Sequence, residues 1–263
     1  MKKFILFAIA LTATMALSAE TKVIAHRGFH TTEGSARNSM VALQKAQQIG
    51  IYGSECDVNL TKDGVIVVAH GGSHPDKMVK CDNRITIQKS TLEQCQSILL
   101  ENGEKMPTLD EYLAQTKKDP KTKLIIEIKS HTTPQKETEI VEGTINKVKE
   151  YGLENQVEYI AFRPFVCQEL KRLAPEGTPI AYLNGDYDPT YVKGMGLSGI
   201  DYKFNVLKKK PKWIKQAQKK GLTVNVWTVN NDEDIIWCIE QGVDYITTDY
   251  PTRVQELIKQ YQK

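Results

Sequence analysis

Glu55 and Asp57 stand two residues apart in the β-branched run 52–58, and Glu127 and Lys129 stand two apart at the end of the run 123–128. In a strand, residues i and i+2 share one face. Each pair therefore aims at a common side, while Cys56 points the other way. Three carboxylates sent into one small volume repel one another unless some take up protons or a cation sits among them. Oxygen-only donors favour Ca²⁺ or Mg²⁺ over zinc, so one divalent cation held by Glu55, Asp57 and Glu127 is expected. His26 closes the run 22–26, and His70 follows the run 65–69. Two imidazoles beside a Lewis acid suit an acid/base displacement at phosphorus: one takes a proton from the attacking hydroxyl and the other gives one to the leaving oxygen. Arg27 and Lys129 would hold phosphoryl oxygens, the first as a fork and the second as a point charge.

Each of these residues also has a plain structural reading. A lone Glu-x-Asp is usually a solvated edge, and a lone Glu-x-Lys an ion pair. His30, His74 and His131 read as loop residues, and Trp227 alone as core or rim packing. The functional reading rests on joint placement, because His26, Arg27, Glu55, Asp57, Glu127, Lys129, Trp227 and Asp249 all fall at or just beyond the ends of strand-like runs.

The elements that must position them alternate strictly. Strand patterns fall at 22–26, 52–58, 123–128, 156–161, 179–183, 199–202, 223–227 and 245–247. Helix patterns fall near 36–49, 109–117, 134–151, 165–173, 189–195, 211–219, 232–241 and 252–261. Alternation predicts a parallel sheet, and eight units predict closure into a (β/α)₈ TIM barrel, whose chemistry sits at the C-terminal ends of the strands. A further strand at 65–69 follows the turn Lys62-Asp63-Gly64, and residues 71–106 carry no clean repeat unit. They read as a small insertion after the second strand, over the barrel mouth. An open doubly wound sheet is the alternative, but its Gly-rich phosphate loop is missing after the first strand.

The 263 residues, 40% hydrophobic and 25% charged, form one globular domain from 19 to 263 after a leader. Lys2 and Lys3, the apolar run 4–15 and small residues near Ser18 predict a signal peptide over 1–18, and hence secretion across the inner membrane, with the periplasm preferred and no stable membrane anchor left. The formal charge of +3 gives no reason to expect nucleic acid or an anionic membrane as the main partner. Five cysteines match no zinc pattern. Cys81 with Cys95 is one candidate disulfide, and five packed thiols are the alternative.

The segments AHRGFHTTEGSARNSMVAL, GSECDVNLTKDGVIVVAHGG, IIEIKS and GVDYITTDYP together resemble the glycerophosphodiester phosphodiesterase family over roughly residues 22–258. The resemblance implies the same barrel with an insertion after its second strand, and His26 and His70 as the acid/base pair. It implies a Ca²⁺ or Mg²⁺ on Glu55, Asp57 and Glu127, with Arg27 and Lys129 facing phosphate and Trp227 lining the substrate pocket. The substrate would be a small glycerophosphodiester, with the glycerol 2-hydroxyl attacking phosphorus and water opening the cyclic phosphate to sn-glycerol 3-phosphate. Two departures stand out: Ala36-Arg37-Asn38-Ser39 replaces the usual Pro-Glu-Asn-Thr, and Gly71 replaces an Asp after the second histidine. A bilayer-acting lipase and a non-catalytic phosphodiester-binding module are the competing readings. No aromatic or apolar stripe in the sequence announces interfacial docking, although the insertion could hide one.

Overall fold

The structure, a computed structural model, describes residues 20–71 and 85–261. The leader expected over 1–18, the stretch 72–84 of the insertion, His74 and Cys81 lie outside the described residues. The chain runs β1 (Lys22–Ala25), α1 (Met40–Gln48), β2 (Gly53–Leu60), β3 (Ile66–Val68), α2 (Leu92–Gln96), α3 (Leu109–Thr116), β4 (Lys123–Ile128) and α4 (Pro134–Tyr151). It continues β5 (Val157–Ala161), α5 (Pro164–Leu173), β6 (Ile180–Tyr182), α6 (Pro189–Gly194), β7 (Gly199–Lys203), α7 (Phe204–Lys209) and α8 (Lys212–Lys219). It ends β8 (Thr223–Trp227), α9 (Asp232–Gln241), β9 (Tyr245–Thr248) and α10 (Pro251–Tyr261). Apart from β3, the strands pair in parallel, and β1 pairs with both β2 and β9. The sheet closes as the expected (β/α)₈ barrel, and the open-sheet alternative falls.

Period-2 alternation decides which side chains reach the site. On β4, Leu124, Ile126 and Ile128 join the core under the helices, while Ile125 turns inward to pack with Ile24, Ile160 and Leu183. Glu127 shares the inward face of Ile125, nearer the strand's C-terminal end. On β2, Cys56 and Val58 go outward, so Glu55 and Asp57 go inward. The register sets Asp57 directly opposite Glu127. An apolar plug thus fills the barrel below a layer of acids, as closure with inward packing requires.

The helix expected from 36 begins instead at Met40. Asn38 takes φ 59°, a left-handed conformation that ends any helical run, and the Ser39 hydroxyl accepts the Ala42 N–H at 3.0 Å as an N-cap. The expected strand at 65–69 is β3, antiparallel to β2 with Val68 opposite Val58. The insertion is more regular than its sequence suggests, because α2 and a 3₁₀ turn (Ile87–Lys89) bury a small core of Val67, Ala69, Ile87, Cys95, Leu100 and Met106 against Ala36. Helix α7 was not expected. Cys56, Cys95, Cys167 and Cys238 are buried free thiols among the described residues, and the expected option of a Cys81–Cys95 disulfide rests on Cys81, which lies outside them.

The loop after β1 depends on Gly28. Its φ is +76°, and a Cβ there would lie 2.6 Å from the Ala42 Cβ and 2.8 Å from the Ala42 carbonyl carbon of α1. A left-handed alanine and a collision with helix backbone together cost at least about 2 kcal/mol. Gly28→Ala is expected to lower the unfolding free energy by that amount, read as a lower urea midpoint with an unchanged denaturant slope. An unshifted midpoint would mean that the loop and α1 are not packed this closely.

Candidate active site

Glu55, Asp57 and Glu127 each offer an oxygen within 4.8 Å of the other two, and all three side chains are buried. The Arg27 backbone N–H donates to Glu55 Oε2 at 2.8 Å. Asn38 holds Asp57 twice: its Nδ2 donates to Asp57 Oδ2 at 3.0 Å, and the Asp57 N–H donates to Asn38 Oδ1 at 3.2 Å. Arg27 Nε lies 3.2 Å from Asp57 Oδ2. Lys129 Nζ lies 3.2 Å from Asp57 Oδ1 and 2.5 Å from Glu127 Oε1. Glu55 Oε1 is buried with no hydrogen-bond partner.

The electrostatics match that incomplete satisfaction. Burial, then the charges of Asp57 and Glu127, push the Glu55 carboxyl well above its ordinary range. Burial pushes Glu127 up to about 7 against the pull of Lys129. Burial also works upward on Asp57, but Lys129 and Arg27 outweigh it and hold that carboxyl below the usual range. Two cations do not neutralise three buried acids. An orphaned anionic oxygen among hard oxygen donors fits a divalent cation of the Ca²⁺ or Mg²⁺ type.

His26 follows β1, and its Nδ1 lies 2.7 Å from Asp249 Oδ1, just beyond β9. With Asp249 ionised, Nδ1 carries the proton and Nε2 is left as the acceptor. His30 Nε2 reaches the same oxygen at 3.0 Å. Asn230 fixes Asp249 through Nδ2 to Oδ2 at 2.7 Å and accepts its N–H at 2.9 Å. Burial raises Asp249, but hydrogen bonds from His26 and His30 outweigh it and keep the carboxyl ionised. His26 is lowered, chiefly by burial, with Asp249 opposing and Arg27 adding. The His70 ring reaches solvent on one side. Partial desolvation lowers it, Asp57 opposes, and Lys129 and Arg27 add.

His26, Arg27, Glu55, His70, Glu127, Lys129 and Trp227 line one cleft at the C-terminal ends of the strands, and Asp57 sits behind them. The eight residues singled out in the sequence are thus brought together. Trp227 packs edge-on against Phe162 at 5.6 Å and donates from Nε1 to the Asp201 carbonyl at 2.9 Å, so it forms a wall rather than filling the core. Asp201 also lines the cleft. It is buried, its Oδ1 is unpartnered, and burial followed by the Glu127 charge pushes its carboxyl up to about 8.

Four contributors carried no assigned site role in the sequence: Asn38, His30, Asp249 and Asp201. His30 does lie in a loop, as its sequence suggests, and its ring also bonds Asp249. His131 is structural: it accepts the Leu60 N–H at 3.2 Å and bonds the Lys129 carbonyl at 2.8 Å. The two departures also find physical accounts. Arg37 is exposed, and the acid at the start of α1 comes from the insertion: Glu104 accepts the Met40 N–H at 2.9 Å and the Val41 N–H at 3.3 Å. Beyond His70, Asn59 Nδ2 donates to the carbonyls of Ala69 (2.8 Å) and Gly71 (3.1 Å), which secures the turn without an Asp.

Comparisons with known proteins agree with this geometry. Residues 26–253 match the glycerophosphoryl diester phosphodiesterase family. A glycerophosphodiester phosphodiesterase of Caldanaerobacter subterraneus subsp. tengcongensis is 30% identical over 250 residues, covering 91% of this chain and 98% of its own. The crystal structure of a glycerophosphodiester phosphodiesterase from Parabacteroides distasonis superposes with a TM-score of 0.86 at 40% identity, covering 93% of this chain and 99% of that one. An Oleispira antarctica phosphodiesterase, solved with its product sn-glycerol 3-phosphate, shares the fold with a TM-score of 0.77 at 22% identity, over 91% of this chain and 97% of that one. The chain belongs to the glycerophosphoryl diester phosphodiesterase family of phosphodiester-cleaving enzymes.

Proposed function

We propose that the protein hydrolyses small glycerophosphodiesters, the deacylated phospholipids, to sn-glycerol 3-phosphate and a free alcohol. The observation that carries this reading is one cleft lined by two imidazoles, Arg27, Lys129 and a buried acid trio with an orphaned oxygen. Glu55, Asp57 and Glu127 would hold the dication, which when bound supplies Lewis acidity toward a phosphoryl oxygen. Arg27 and Lys129 orient the phosphate. His26, backed by Asp249, is suited to take the proton of the attacking hydroxyl, because the carboxylate favours the imidazolium that results. His70, at the open side of the cleft, is suited to protonate the leaving oxygen. Phe162, Leu183 and Trp227 give the cleft an apolar wall against bulk water. The leader expected from the sequence over residues 1–18 would place this action beyond the inner membrane, in the periplasm.

The test is release of glycerol phosphate from glycerophosphocholine, glycerophosphoethanolamine and glycerophosphoinositol by the purified protein. Turnover of at least one is expected. Saturable binding of all three without release would leave a binding module instead.

A further inference from the structure

Between Asp201 and Asp232 the chain carries no acidic residue, and Lys203, Lys208, Lys209, Lys210 and Lys212 fall within ten positions of one another. All five are exposed, and none forms a salt bridge among the described residues. Instead, three lie over aromatic rings: Lys203 over Trp227 at 5.1 Å, Lys208 over Trp237 at 4.5 Å and Lys210 over Trp213 at 3.8 Å. Their place in the fold matters as much as their charge. Lys203 ends β7, and α7 follows without an intervening loop, so this basic segment lies on the barrel's C-terminal face beside a wall of the cleft.

The same face also carries exposed aromatics. Phe165 and Tyr191 lie in the first turns of α5 and α6, and Tyr250 immediately precedes α10. These helices leave the C-terminal ends of their strands, so the three rings belong to the rim around the cleft. A cationic patch draws a protein to anionic headgroups, and rim aromatics suit the boundary between headgroup and acyl chain. Single-stranded nucleic acid, by contrast, needs open ring faces for base stacking, and here lysines lie over the faces of Trp213 and Trp237.

We propose that the catalytic face docks peripherally on a bilayer containing anionic phospholipid, with the lysines of the α7 segment against the headgroups and the cleft opening at the interface. Docking would keep the cleft where deacylated phospholipids leave the membrane. It involves contacts outside the acid cluster and the imidazoles, and it is measured without turnover, so it can fail or hold independently of the phosphodiesterase reading.

The experiment is co-flotation of the full mature protein with vesicles of phosphatidylcholine alone or with a one-third share of phosphatidylglycerol. Binding to the mixed vesicles at low salt is expected, with little to phosphatidylcholine and loss at high salt. Each lysine is worth about fivefold in partition, so the triple variant Lys208→Ser, Lys209→Ser, Lys210→Ser should bind about 100-fold more weakly. Its turnover of soluble glycerophosphocholine should match the parent, and the corresponding triple arginine variant should still float. Equal binding to both vesicle types, an unaffected serine variant, or tighter binding to a single-stranded oligonucleotide than to the mixed vesicles would overturn the proposal.

Discussion

His26→Ala and His70→Ala are each expected to lower turnover of glycerophosphocholine by about 10²–10⁴-fold, the range spanned by positioned acid/base groups, while leaving the fold intact. Neither ring is needed for packing. His70 is exposed, and Asp249 keeps His30 and Asn230 as partners when His26 is removed. The two roles can also be separated. A glycerol diester of p-nitrophenol has a leaving group that departs without a proton, so His70→Ala should recover much of its loss on that substrate and His26→Ala should not. Asp249→Asn tests the orienting carboxylate. It keeps the size of the side chain but not its charge, so kcat should fall and its pH profile shift while KM stays near the parent value. Near-normal turnover in both alanine variants would end the acid/base assignment, and equal recovery with the p-nitrophenyl ester would end the division of labour.

The parts of this site legible in the sequence are those fixed by local periodicity. Glu55 and Asp57 share a face because strand side chains alternate, and the same rule pairs Ile125 with Glu127. Given eight strand-helix units, closure brings those faces to one axis, so the acid trio could be located without coordinates. The contributors and roles that escaped depend mostly on long-range geometry or on a single unusual backbone angle. Asp249 meets His26 only because β9 pairs with β1 across the closure. His30 gains its role through the same contact. Asn38 sits in a stretch whose amphipathic pattern continues into α1, and nothing in that pattern marks the left-handed φ that turns its amide toward Asp57. Asp201 is a single acid on a short strand with no second acid two residues away. Helix α7 is only six residues long, too short for a 3.6-residue period to emerge.

Removal of the dication is expected to abolish turnover, and Glu55→Gln separates the electrostatics of the site from its shape. The amide can still accept the Arg27 N–H that now goes to Glu55 Oε2, but it is a weaker donor to a cation. Apparent affinity for Ca²⁺ or Mg²⁺, read by calorimetry, should fall at least 10–100-fold, no less than the loss known for groups that merely orient metal ligands. Stability provides a second readout with opposite signs in the two states. Without metal, the parent buries a carboxyl that burial and the charges of Asp57 and Glu127 push well above its ordinary range. Gln carries no such penalty, so in chelator the variant should be the more stable of the two. With cation at about 100 times its dissociation constant, the parent gains about 2.7 kcal/mol by mass action. The weakened variant gains much less at the same concentration, and the order of melting temperatures should reverse. A variant less stable than the parent in chelator would show that Glu55 is satisfied by the protein alone. Unchanged cation affinity would place the ion elsewhere.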